Sequence, residues 1–232
     1  MNKVVLVCLV LYGGFLHSQI SGSSEIERID NSTLHNIEIL QTGNFARVVN
    51  QKKDIKGSIH LFENWNNDVV IRTFNKKSYI IKNFNFNVKD NNFESKVGND
   101  SVFIFDFKNV DFVHINSRKF KKIYQSSIRS ERIFEIIYER NSFSLIKEYN
   151  SILKINDPDP LMFKKNLNEY RIRGTYYLKE GNNLIKFKLR KKNILEVMKS
   201  ESSKVEEYAK VKGLSFKKDD DLRKIFDFYD SL

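Results

Sequence analysis

The feature that most constrains this chain is a long succession of short apolar runs, each closed by Asn, Asp, Gly or Lys. The runs begin near Ile37 and continue to Leu189. Short apolar segments bounded by turn-forming residues are typical of β-strands. Because the runs follow one another closely, crossover helices do not fit between them, so neighbouring strands are expected to pair antiparallel. The sequence therefore predicts a mainly β fold, with an antiparallel sheet arranged as a sandwich or a half-barrel.

Two of these runs indicate how the strands are buried. In 83–88, the apolar Phe84, Phe86 and Val88 alternate with asparagines. This period of two predicts a strand with one buried face and one solvated face. The segment 102–107 is apolar on both faces at its start, as expected for a strand that is covered on both sides.

The last part of the chain changes period and predicts a helical cap. Asn193 is expected to cap a first helix, and Ser203 with Glu206 has the spacing of a capping box for a second. The acidic run 219–221 suits the positive start of a third helix. That helix carries an apolar stripe at helical spacing, formed by Leu222, Ile225, Phe226 and Tyr229.

Proline and turn residues divide the chain between these regions. Pro158 and Pro160 both follow aspartates, and two X-Pro steps in a row predict a rigid surface connection. A hairpin is expected beyond it, with its turn at 180–183. The predicted divisions are a signal peptide (1–18), an antiparallel β domain (19–156), a linker and C-terminal β-hairpin packing on that domain (157–190), and the helical cap (191–232).

The N-terminus has the pattern of a secretory signal peptide. Lys3 supplies a positive n-region, 4–15 form a short uncharged h-region, and Ser18 offers a small residue for cleavage before Gln19. The apolar run is shorter than the roughly 20 residues of a membrane-spanning helix. The sequence therefore predicts a cleaved leader, no transmembrane segment in the mature protein, and export to the periplasm, the outer envelope or the extracellular space.

The cysteine content limits which covalent links the exported protein can have, and its net charge indicates which partners it can bind. The one cysteine, Cys8, lies inside the h-region, so the mature protein has no disulfide and no lipid-anchoring cysteine. The formal net charge is +11, and of this only Lys3 is lost with the leader. A strongly basic exported protein is expected near an acidic envelope polymer or an anionic lipid surface, whereas no pattern for nucleic-acid binding is present.

Residues suited to catalysis or metal binding form no recognisable constellation. His35, His60 and His114 are far apart and lack ligand-type neighbours at metal-binding spacing, so no metal and no cofactor are predicted. No serine lies in a G-x-S-x-G turn, so no catalytic residue is assigned. Glu135 and Glu139 share one face of a predicted strand beside arginines, which indicates ordinary surface charge.

Basic residues form two candidate surfaces for an anionic ligand. The segment 184–190 alternates so that Lys186, Lys188 and Arg190 lie in a row. A second cluster contains Arg118, Lys119, Lys121 and Lys122. If the two strands are neighbours, the clusters form an anion-binding face. The competing interpretation is an edge strand protected against aggregation by lysines.

Trp65 is the only tryptophan and lies in an Asn-rich connection. An indole in such a place can stack on a sugar ring. It can also fill the end of a β-sandwich. Both interpretations stay open at the level of sequence.

Three segments of the chain, taken in order, resemble segments of a known group of proteins. They are the leader ending before Gln19, the segment 57–65, and the tail from 176–179 to 213–219. In this order of pieces the chain resembles a loose group of small exported proteins of unknown function from Gram-negative bacteria. The resemblance implies a periplasmic or outer-envelope setting and transfers no site residues.

The sequence as a whole predicts an exported, non-catalytic protein that acts as a binding or structural accessory in the bacterial envelope. Two alternatives remain. One is a carrier that shelters an apolar ligand in a half-barrel. The other is a hydrolase of envelope glycan or lipid whose acidic residues meet only in the folded protein.

Overall fold

The computed structural model describes residues 26–29, 44–47, 55–98, 101–140, 142–156 and 167–232. Both the predicted leader and the proline connection lie outside these ranges. The strands are β1 (Ile26–Arg28), β2 (Asn44–Arg47), β3 (Ile55–Lys56), β4 (Val69–Thr73), β5 (Ser78–Ile81), β6 (Phe84–Asn87), β7 (Asn92–Lys96), β8 (Ser101–Phe105), β9 (Val110–Ile115), β10 (Arg118–Gln125), β11 (Ser130–Glu139), β12 (Ser144–Lys154), β13 (Asn168–Glu180) and β14 (Asn183–Phe187). The helices are α1 (Lys191–Met198), α2 (Ser202–Val211) and α3 (Asp219–Asp230).

The strands form one large sheet and one small sheet. The large sheet has the order β1-β5-β4-β9-β10-β11-β12-β13-β14, with β3 also paired to β13. The small sheet has the order β2-β8-β7-β6. The pairs β1 with β5 and β3 with β13 are parallel, whereas the other strand pairs of both sheets are antiparallel. The predicted fold class, mainly β with a short helical region at the C-terminus, is confirmed.

The small sheet packs on one end of the large sheet and encloses an aromatic core. Five phenylalanine side chains in this core are at most 1% exposed: Phe84, Phe86, Phe93, Phe103 and Phe120. Burying a side chain of this size contributes roughly 1.5–3 kcal/mol. Packing of this kind holds the two sheets together without a covalent link.

Strand β6 differs from its predicted pattern. Phe84 and Phe86 are buried as expected, but Asn85 and Asn87 are buried too, at 0% and 3% exposure. The predicted solvated face is therefore wrong. Asn85 bonds to a loop on the outer side of the small sheet and Asn87 bonds to Glu94 of β7, so both asparagines pair their polar groups inside the protein instead of in water.

The three helices pack on the other end of the large sheet. Leu222, Ile225 and Phe226 of α3 are at most 2% exposed, and they contact a strand region that includes Tyr138 and Leu145. The Phe226 and Tyr138 rings stack with centroids 4.2 Å apart. The predicted apolar stripe of this helix is therefore confirmed.

Two predicted helix starts are wrong. Helix α1 begins at Lys191, and the Asn193 side chain donates a hydrogen bond to the carbonyl of Lys188 instead of capping. Helix α2 begins at Ser202 without a side-chain cap. A 3₁₀ turn over Lys199–Glu201 runs directly into α2, and the Lys199 carbonyl accepts the Ser202 N–H. The start of α2 thus needs no capping box.

Both cores lie on the same face of the large sheet. Along β12, Leu145, Lys147 and Tyr149 point to this face because side chains alternate with a period of two. Leu145 belongs to the helical core and Tyr149 to the aromatic core. Lys147 therefore lies at the boundary between the two layers, where a groove is left open.

Candidate functional site

The floor of this groove is built around a buried carboxylate on β11. Glu135 is fully buried. Its Oε1 accepts hydrogen bonds from Arg118 Nε at 2.9 Å and from Arg223 Nη2, and its Oε2 accepts from Arg118 Nη2 at 2.7 Å and from the Tyr149 hydroxyl at 2.5 Å. Four donors use the roughly four lone-pair positions of a carboxylate. Glu135 therefore holds two guanidinium groups in fixed positions.

Three different elements supply these partners. Arg118 starts β10, which pairs with β11, and Tyr149 lies on β12 on the other side of β11. Arg223 lies in the second turn of α3 and reaches down to the sheet. The Arg118 guanidinium is also enclosed by aromatic rings, with its carbon 5.2 Å from the Phe62 centroid. The charge cluster forms only when strands and helix are packed together.

A second charged pair fastens the start of α3 to the sheet. Lys147 Nζ donates to Asp219 Oδ2 at 2.5 Å, and the Tyr176 hydroxyl donates to Asp219 Oδ1 at 2.6 Å. The ammonium of Lys147 also lies 4.9 Å from the centroid of the Tyr176 ring. The predicted position of the acidic run at the start of a third helix is confirmed, and Asp219 additionally anchors that helix.

The groove has a volume of about 890 Å³ and is open to solvent. Its lining carries six cationic side chains, namely Arg118, Lys147, Lys217, Lys218, Arg223 and Lys224, and four carboxylates, namely Glu135, Asp219, Asp220 and Asp221. The lining thus has a net charge of +2. Lys217, Lys218 and Lys224 form no ion pair with any residue that the structure describes. Uncompensated positive charge therefore lies at the rim.

The pKa values of Arg118, Tyr149 and Tyr176 are all raised, so these groups stay protonated and keep their hydrogens for donation. Burial by itself lowers the pKa of Arg118, but the hydrogen bonds and charge of Glu135 outweigh burial and raise it. Burial and then the charge of Glu135 raise the pKa of Tyr149, and burial and the bond to Asp219 raise that of Tyr176. Both phenols therefore stay protonated and act as hydrogen-bond donors at neutral pH.

A second polar cluster lies on the outer side of the small sheet. His60 Nε2 donates to Glu94 Oε2 at 2.9 Å, and Asn87 Nδ2 donates to Glu94 Oε1 at 2.7 Å. The Trp65 ring meets the His60 ring edge to face, with centroids 4.7 Å apart. No group of three or more metal-ligating side chains occurs among the residues that the structure describes.

The two predicted basic surfaces are apart from each other, and of their residues only Arg118 lines the groove. Strands β10 and β14 are separated by three strands, so the two clusters are not neighbours. Lys119 and Lys121 each donate to Glu139 at 2.8 Å. In the other cluster Lys186 lies on β14, whereas Lys188 and Arg190 follow its end, and all three are exposed. This exposed row stays a prediction for an anionic ligand.

The structure corrects the interpretation of the two glutamates on β11. A bulge between Ile136 and Tyr138 shifts the register with β12. Glu135 therefore points into the groove with Arg118, whereas Glu139 points to the opposite face with Lys119. The assumption of one shared surface-exposed face is wrong, because an inserted residue reverses the alternation.

Sequence reasoning missed most of the floor. Lys147, Tyr149, Tyr176 and Arg223 come from distant segments and carry no common motif. One signal was available, since Glu135 interrupts an otherwise apolar run. A lone carboxylate in a strand of that kind indicates a buried group that must be paired.

No helix among the described residues has both the length and the apolar character needed to cross a bilayer. Comparisons with protein-family models, with curated proteins and with solved structures find no match to this chain.

Proposed function

We propose that this is an exported, non-catalytic binding protein that holds an anionic component of the bacterial envelope in the groove between its two cores. The observation that carries the proposal is the pair of guanidinium groups, Arg118 and Arg223, fixed on one buried carboxylate. The positive rim and the overall net charge of +11 support it. The leader-like N-terminus supports an envelope or extracellular location.

The donors of the floor suit an anion. Arg118 uses Nε and Nη2 for Glu135, which leaves its Nη1 hydrogens for a ligand. Lys147 uses one of its three donors for Asp219. Because these groups are already held by packing and hydrogen bonds, little side-chain entropy is lost when a ligand binds.

The carboxylates of the groove favour binding over acid-base hydrolysis. A glycosidase of the usual kind needs one carboxyl group that donates a proton and a second that attacks or activates water. Glu135 accepts four hydrogen bonds, and both oxygens of Asp219 accept one from Lys147 or Tyr176. These carboxylates act as structural anions that position cations.

The open, charged lining also favours an anionic ligand over an apolar one. An apolar carrier shelters its ligand in a largely hydrophobic cavity. Here most of the lining is charged, and its aromatic side chains present hydroxyl groups that bond to carboxylates.

Calorimetric titration with dextran sulfate, using neutral dextran as the matched control, tests the proposal. We expect binding to dextran sulfate alone, weakening as salt is raised. Replacing Lys217, Lys218 and Lys224 together by glutamine removes the uncompensated rim charge and should weaken binding about tenfold, since each exposed charge contributes roughly 0.5 kcal/mol.

The matched control is the triple glutamine variant of Lys186, Lys188 and Arg190, which removes the same charge from the exposed row beyond β14. Because this row is itself a predicted anion site, the variant distinguishes the two surfaces, and if the groove is the site its affinity should stay close to that of the parent protein. If dextran sulfate does not bind, or if only the control variant loses affinity, the groove is not the binding site.

A further inference from the structure

The loop that carries Trp65 is held rigidly by buried asparagines. Asn85 Nδ2 donates to the carbonyls of Phe62 and Asn64 at 3.0 and 3.1 Å, and its Oδ1 accepts the Phe62 N–H at 3.1 Å. Asn67 Nδ2 donates to the Asn64 carbonyl at 2.8 Å and to the Phe84 carbonyl at 3.0 Å. The loop therefore keeps one conformation without support from a regular strand.

Trp65 does not serve the hydrophobic cores. It belongs to neither core, nor to the separate apolar cluster of Phe134, Ile136 and Ile146, and it is partly exposed between the exposed Asn64 and Asn66. Its ring contacts His60, which is itself fixed by Glu94. A large aromatic ring on a rigid, polar, exposed loop is the arrangement of a binding platform rather than of a core residue.

The loop that carries Trp65 follows directly in sequence on residues that belong to the groove. Leu61 lines the groove, and the Phe62 ring covers the Arg118 guanidinium. Three residues span at most about 11 Å, so Trp65 lies within that distance of Phe62 along the backbone. A ligand a few sugar units long is long enough to span that distance.

The geometry points to an acidic glycan as the ligand, with a sugar ring stacked on Trp65 and the acidic groups of the same chain in the groove. This assignment rests on the proposed function, and it adds the ligand class and a second contact. The C–H groups of a pyranose ring pack on an indole, and the exposed amides of Asn64 and Asn66 are suited to its hydroxyl groups.

The shape of the site favours a glycan over an anionic lipid surface. The guanidinium groups lie at the floor of a groove between a sheet and a helix, with Arg118 and Arg223 less than a quarter exposed. A flat membrane surface reaches only the rim, whereas a single flexible chain enters the groove. Vesicles are therefore a discriminating probe.

The test uses hexameric oligogalacturonide, its fully methyl-esterified counterpart without the charges, and vesicles of phosphatidylglycerol. Trp65 is the sole tryptophan, so its fluorescence reports contact at the platform directly. We expect the acidic hexamer to shift the emission and to bind in calorimetry, and the esterified hexamer and the vesicles to bind at least tenfold more weakly.

Variants separate the platform from the groove. Trp65→Ala should raise the calorimetric Kd of the acidic hexamer about tenfold, and Trp65→Phe should recover part of that loss because a phenyl ring still stacks. Tyr124→Ala, which removes an exposed aromatic ring on β10, is the matched control and should leave the Kd unchanged.

Each outcome has a defined meaning. Binding of the acidic hexamer that depends on Arg223, tested as Arg223→Gln, but not on Trp65 overturns the glycan platform and leaves the anion groove standing. Tighter binding to the vesicles than to the hexamer also overturns the glycan assignment. If neither the hexamer nor dextran sulfate binds, the proposed function itself fails.

Discussion

At the scale of single residues, Glu135 has the largest consequence for the protein. It is the fully buried partner of two guanidinium groups, one from the sheet and one from α3. A buried ion pair is a weak source of stability when compared with apolar packing, yet removing one partner is costly because the remaining charge is left uncompensated. Glu135 thus both stabilises the packing around the groove and fixes the positions of two of its positive charges.

We expect Glu135→Gln to lower the free energy of unfolding by about 3 kcal/mol, because two partly buried cations lose their carboxylate and meet amide hydrogens instead. Urea denaturation monitored by circular dichroism measures this change. The control is Glu169→Gln, which breaks an exposed bond to Arg171 and should leave the unfolding midpoint unchanged. A loss below about 1 kcal/mol for Glu135→Gln would show that solvent already stabilises the charges of both guanidinium groups without the carboxylate.

At the scale of elements, the pairing of β12 with β13 shapes the groove. The pairing runs without interruption from Ser144 to Lys154 on β12. A Cβ atom added to Gly174 on β13 would lie 2.3 Å from Lys147 Cε. The glycine therefore leaves the space through which the Lys147 side chain crosses β13 to reach Asp219.

Gly174→Ala is expected to displace the Lys147 ammonium from the groove and to weaken dextran sulfate binding several-fold. The protein should still fold, because the clash is with the far end of a flexible side chain rather than with backbone. Gly98→Ala is the control, since the nearest atom to its new Cβ would lie 4.0 Å away. Calorimetric titration of both variants measures the difference, and equal affinities would show that Lys147 does not contribute to the site.

Strand β6 has the side-chain alternation that its sequence predicts, but the face predicted to be solvated is buried. Its alternation of Phe and Asn predicts a half-solvated strand, but the loop 61–67 folds over the asparagine face. The alternation did identify which side chains share a face. The number of layers covering that face depended on a loop that the alternation does not describe.

At the scale of the whole molecule, one continuous sheet connects two cores that are built differently. The small sheet covers one end and the helices cover the other, and β12 contributes to both through Tyr149 and Leu145. Arg223 adds a direct bond from the helical layer to the sheet between them. Neither end is therefore expected to unfold independently of the other.

This coupling predicts one cooperative transition in urea. Trp65 fluorescence follows the end with the small sheet, whereas ellipticity at 222 nm is dominated by the helices at the other end, so the two signals report different cores. We expect their midpoints and slopes to coincide. An earlier loss of the helical signal would show that the helical layer is a separate unit.

The sequence by itself determined the class of the fold, since short apolar runs with close turns permit little besides antiparallel strands, and an amphipathic tail must cover an apolar face. These are local patterns, and they are set by backbone geometry within a few residues. The groove was decided only by the tertiary structure. A bulge between Ile136 and Tyr138 turned Glu139 away from the face of Glu135, and residues more than a hundred positions apart, such as Arg118 and Arg223, met on the Glu135 carboxylate because two separate layers pack on one face of the sheet.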